Sequence, residues 1–180
     1  MARTTGIVAA IVLGTALNVV ADSADDFQAA KTLFDKGQYQ EAGQTFSNLA
    51  ASAPNAHGKA WSLSYAAMAL GRQKQYDQAL ELAKTIEGKP MAAYTQMAIM
   101  DANQRHKELA AAFKDEDVAA WPDPINYKGF FLRGVARSVA GDKQASLKDF
   151  EQCVRLAGSD AELKLDALNR LAALCHDLGE

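Results

Sequence analysis

Cysteine, proline and histidine are scarce in this chain: two, four and three among 180 residues. Two cysteines, Cys153 and Cys175, both late in the sequence, cannot make a disulfide framework. Few prolines, few runs of Val, Ile or Thr beyond the first twenty residues, and abundant Ala, Leu, Lys, Gln, Glu and Asp favour helix over strand. Positive charge is not in excess either. The formal balance is -3, and a mildly acidic chain without a basic stripe is a poor partner for nucleic acid or anionic lipid. Nucleophile elbow, phosphate-binding glycine loop, HExxH and paired CxxC are all missing.

One region departs from this background. MARTTGIVAAIVLGTALNVVA carries a single cation at Arg3 and no acid, with an apolar run from Gly6 to Ala21, and three aspartates follow at Asp22, Asp25 and Asp26. Charged start, short apolar centre and small-residue exit read as a secretory signal peptide over residues 1–21, with Val19 and Ala21 at the positions a peptidase wants small. Export to the periplasm or the extracellular space follows, with no stable membrane insertion after cleavage. The alternative is an uncleaved N-terminal membrane anchor. The run from Gly6 to Ala21 is shorter than the roughly 20 residues that span a bilayer. No cysteine lies near it to carry a lipid.

The remainder repeats. KGQYQEAGQTFSNLA (Lys36 to Ala50) laid above AGDKQASLKDFEQCV (Ala140 to Val154) puts Gly37 on Gly141, Ala42 on Ser146 and Phe46 on Phe150. A third copy, RQKQYDQALELAKTI (Arg72 to Ile86), has Tyr76, Ala79 and Ala83 in place and Lys74 where the glycine was. Phe27, Ala30, Leu33 and Phe34, then Tyr39, Ala42, Phe46 and Leu49, recur at three and four, the spacing of one helical face. Each unit therefore reads as two amphipathic helices about a tight turn. Glycine closes the first helix in a left-handed conformation, small residues allow close approach, and a ring fills the space beyond.

This pattern resembles the tetratricopeptide repeat family, whose unit is 34 residues long. The resemblance covers about Asp22 to Glu180 and implies an all-α solenoid of helix-turn-helix units beginning near Ser23, Ala60, Met91 and Tyr127 and spanning 22–160, with residues 161–180 as a capping helix. The third unit fits poorly: Ala98 and Ala110 agree, while glycine and ring are missing. In the last segment Leu165, Leu168, Leu171, Ala172, Cys175 and Leu178 stand at helical spacing as the expected apolar face.

In the family the first helices line a concave groove. The resemblance carries that role to Phe27, Lys31 and Phe34; Trp61, Ser64, Met68 and Arg72; Thr95, Ile99 and Asn103; Lys128, Phe131 and Val135. The expected peptide-binding set is Phe27, Lys31, Trp61, Met68, Arg72, Asn103, Lys128 and Phe131: aromatic and Met anchors with a few cations. A register slip of one would turn Phe34 and Phe131 into core. Phe27, Ser64, Thr95 and Phe131 occupy the fifth positions, so the carboxylate clamp of the family's chaperone-tail binders is not assembled.

Little else points to chemistry. His57 is placed in the loop after Pro54, and His106 and His176 near helix ends, where imidazole serves a helix dipole or water. Antiparallel pairing about Gly158 to Ser159 would leave the two sulfurs roughly 16 Å apart at about 1.5 Å per residue, beyond the ~7 Å a bridge tolerates, so two free, largely buried thiols are expected. KDEDVAAWPDP (Lys114 to Pro124) lacks calcium-loop spacing and reads as a solvated helix end with Trp121 tucked under its neighbours. The expectation is a non-enzymatic protein-interaction module, an adaptor or scaffold without metal or cofactor. The alternative is a self-assembling structural component of the cell envelope, built from copies of itself.

Overall fold

A computed structural model describes residues 24–179; the expected signal peptide lies outside the described residues. The fold is an all-α solenoid of four helix pairs and a terminal helix. The described part of α1 covers 24–35, and α2 is Tyr39–Ser52, α3 Ala56–Arg72, α4 Tyr76–Lys84, α5 Lys89–Ala102, α6 His106–Ala112, α7 Ile125–Ala140, α8 Lys143–Leu156 and α9 Ala161–Leu178. The odd-numbered helices pack on one another along an inner layer, and the even-numbered ones cover them outside.

The turns set the register. Gly37 and Gly141 take the left-handed conformation, with φ of +79° and +91°, where a β-carbon would be strained. The other two pairs turn the same way without glycine, at Lys74 (φ 62°) and Gln104 (φ 57°). Gln104 shows that the third pair is a full member whose register lies one residue before the sequence reading. Its missing ring is then Phe113, buried at the end of α6, and its small-residue place holds Leu109, fully buried.

Close approach at the fourth pair explains its small residues. A β-carbon on Gly134 would stand 3.0 Å from the Phe150 ring, and Ser146 Oγ donates to the Gly134 carbonyl at 2.7 Å. The long connection from α6 to α7 folds back over α7. Trp121 is buried there, and a β-carbon on Gly129 would lie 2.6 Å from its ring. Arg133 donates twice to Asp149, at 3.0 and 2.8 Å, and once to the Glu116 carbonyl at 2.7 Å. Arg137 bridges Asp149 and the Lys114 carbonyl at 2.8 and 2.9 Å.

Several expectations are corrected. His57 sits in the first turn of α3, because the helix starts at Ala56 under an Asn55 cap that accepts from the Gly58 amide. In α9 the buried face runs through Ala167 and Leu174, with Leu163 and Leu171 beside them, whereas Leu165 and Leu168 point outward. Both thiols are free. Cys153 is buried and burial pushes it up to about 12, but Cys175 is only half-buried.

Candidate functional site

Five inner helices leave a groove on their shared face, made of two hollows that meet at Lys128. The first, about 630 Å³, lies between the start of α1 and the start of α3. Phe27, Leu49, Pro54, His57, Trp61 and Tyr65 line it, and among the described residues its cations are Lys31 and Lys128 and it holds no carboxylate. Its rings hold one another. Phe27 meets Phe46 and Tyr65 edge-on at 5.2 and 5.5 Å, and Trp61 lies 6.4 Å from Tyr65 and 6.3 Å from His57. Lys31 is tied to Asp35 at 2.7 Å, and that hydrogen bond raises its pKa.

The second hollow, about 590 Å³, is more polar. Phe34, Met68, Tyr94, Ala98 and Phe131 form its apolar part, Arg72 and Lys128 bring positive charge, and Asp101, Asp160, Glu162 and Asp166 bring negative charge. Arg170 lies over the Phe131 ring at 5.3 Å and is tethered to Asp166 at 3.2 Å. Asp160 caps α9 through the Leu163 amide and accepts from the Tyr127 hydroxyl at 3.3 Å. Burial pushes the Asp101 carboxyl above its usual range, although His106, Arg170 and Arg72 pull the other way. Burial also raises the Tyr94 phenol. His106 Nδ1 is 3.5 Å from Asp101 Oδ1 without hydrogen-bond geometry.

Of the expected binding set, Phe27, Lys31 and Trp61 line the first hollow, Met68, Arg72 and Phe131 the second, and Lys128 both. Asn103 lines neither. Its amide donates to the Ile99 carbonyl at 2.8 Å and to the Gly71 carbonyl at 3.3 Å, clasping α5 to α3. Thr95 and Ile99 are buried for the same one-residue reason, and Ser64 bonds Thr95 at 2.8 Å inside the α3–α5 contact. On α5 the groove residues sequence reasoning missed are Tyr94, Ala98, Asp101 and Ala102, each one or two positions before an expected one, and it also passed over Asp160, Glu162 and Asp166. Tyr65 was also missed. Val135 is buried in the core.

Among the described residues no group of three or more His, Cys, Asp or Glu is placed to hold a metal ion, and no helix is long and apolar enough to cross a membrane. No protein-family model and no curated protein matches the sequence. A solved structure, the MamA RS-1 ArsTM double mutant, is similar to it with a TM-score of 0.48 and 16% identity, over 87% of this chain and 97% of that one.

Proposed function

We propose that this chain is an exported, non-enzymatic interaction module that holds a segment of a partner protein along the groove. The observation that carries this is the continuity of two chemically different hollows through Lys128. The aromatic hollow suits an apolar anchor, since pre-packed rings bury a large surface with little loss of their own freedom. The mixed-charge hollow gives register and direction, because charges at a rim discriminate between partners more than they add affinity. Residues 1–21 support delivery across a membrane by the grammar of their sequence, and an N-terminus at Asp22 on the recovered protein is the expected sign of cleavage.

The test is affinity capture from envelope and extracellular fractions with the native chain beside a Trp61→Ala, Phe131→Ala double variant. The expected outcome is a partner retained by the first and lost by the second, with helicity equal in both. The reading fails if every recovered interaction survives the double substitution.

A further inference from the structure

Helix α9 turns an apolar stripe to solvent. Leu165 is 60% exposed and Leu168 42% exposed, and with Val139 they are the exposed large hydrophobics of the described residues. Ala161 and Ala172 extend the same face, because steps of four, three and four keep to one side of a helix, and both are exposed. The other end of the solenoid is different. Gln40, Glu41, Gln44, Ser47 and Asn48 give α2 a polar outer face, so stacking head to tail would set apolar against polar.

The fourth helix pair shows what such a face accepts. One 34-residue unit earlier, the places of Leu165 and Leu168 are held by Phe131 and Gly134. Both lie against Phe150 of α8: the Phe131 and Phe150 rings are 5.8 Å apart, and Gly134 admits the Phe150 ring where a β-carbon would crowd it. The helix that covers this face in α7 is thus an antiparallel one. Among the described residues α9 has no such cover.

We propose that a second copy of this chain supplies it, with the two α9 helices packing antiparallel across a two-fold axis. A two-fold perpendicular to α9 makes its symmetry mate antiparallel, the direction the missing cover requires, and it pairs one surface with itself. Across this seam Leu165 faces Ala172 of the second copy, and the two Leu168 side chains meet near the axis. Glu162, which has no ion-pair partner among the described residues, comes beside His176 of the second copy at each end. The opposed helix dipoles add to the attraction. Leu163 and Asp166 turn into the groove and Glu162 stands on its rim, so the seam touches the groove only at that edge.

Sedimentation velocity of the full chain, from low to high micromolar concentration, tests the pairing. A monomer–dimer equilibrium is expected, weakened at least tenfold in a Leu165→Glu, Leu168→Glu variant that keeps its helicity and melting temperature. As a second readout, Leu168→Cys on mild oxidation should give a covalent dimer, and Asn48→Cys on the polar end should not. A wild-type chain that stays monomeric throughout overturns the proposal. So does an assembly that the double substitution leaves unchanged, or equal cross-linking from both cysteine variants.

Discussion

The two ends of the solenoid share one helix-pair plan and are held by different forces. At the N-terminal end Phe46 stacks on Tyr65 at 4.8 Å, and Phe27 and Phe34 meet Tyr65 edge-on, so the core is ring against ring. At the C-terminal end a carboxylate, Asp149, is buried between Arg133 and Arg137. The connections explain the difference. Short links such as Ala53 to Asn55 leave few backbone groups to satisfy, whereas the passage from Phe113 to Pro124 folds over α7 with carbonyls that need donors. The two arginines supply them at Lys114 and Glu116. Ring packing is non-directional and can shape a groove, while a charged lock fixes a loop in one place.

Asp149→Ala should have the largest effect. It strands a buried guanidinium, a change worth about 3–5 kcal/mol, and hydrogen exchange should quicken over 113–121. Phe46→Ala should cost about 3–4 kcal/mol through a cavity and leave exchange at 113–121 unchanged. Equal exchange in the two variants would erase the distinction between the two ends. Joint replacement of Arg133 by Met and Asp149 by Leu should recover only part of the stability, since it removes the stranded guanidinium but leaves Arg137 without its carboxylate and the Glu116 carbonyl without its donor.

Glycine substitutions sharpen the same contrast at smaller scale. Gly129→Ala forces a β-carbon to 2.6 Å from Trp121 and should destabilise by about 1–3 kcal/mol, with a red shift of the Trp121 emission. Gly43→Ala meets the Ala69 side chain at 3.3 Å and the Gln73 amide at an ordinary 3.9 Å, and gains helix propensity, so its melting temperature should stay close to wild type.

The smallest effect belongs to the groove. Burial raises the folded-state pKa of Asp101 above its unfolded value, so the acid binds its proton more tightly when folded. Its contribution to stability is present below the unfolded pKa and is lost as pH rises through the folded one. Asp101→Asn should therefore raise the melting temperature at neutral pH and lose that advantage at acid pH. A gain of equal size at both ends of the range would contradict a desolvated carboxyl.

The repeat was legible where a unit keeps both glycine and ring, as at Gly37 with Phe46 and at Gly141 with Phe150. The third unit was misplaced by one because Gln104 performs the glycine's turn with an ordinary side chain, which no residue preference announces. That slip sent Asn103 to the groove and hid Tyr94. In α9, leucines surround much of the helix, so spacing alone could not tell Leu165 and Leu168 from Leu171 and Leu174. Packing on α7 and α8 decides which face is covered. The aromatic hollow was read from Trp61 and Phe27, while Tyr65 escaped because the repeat frame placed Ser64 in its stead.

The measurement that bears most directly on the groove is photo-cross-linking in native envelope extract, with benzoylphenylalanine replacing Trp61, Phe131 or, on the outer face of α2, Ser47. The account predicts adducts to the same partner at Trp61 and Phe131 and none at Ser47. Adducts at all three positions alike, or none at the two groove positions, would contradict it.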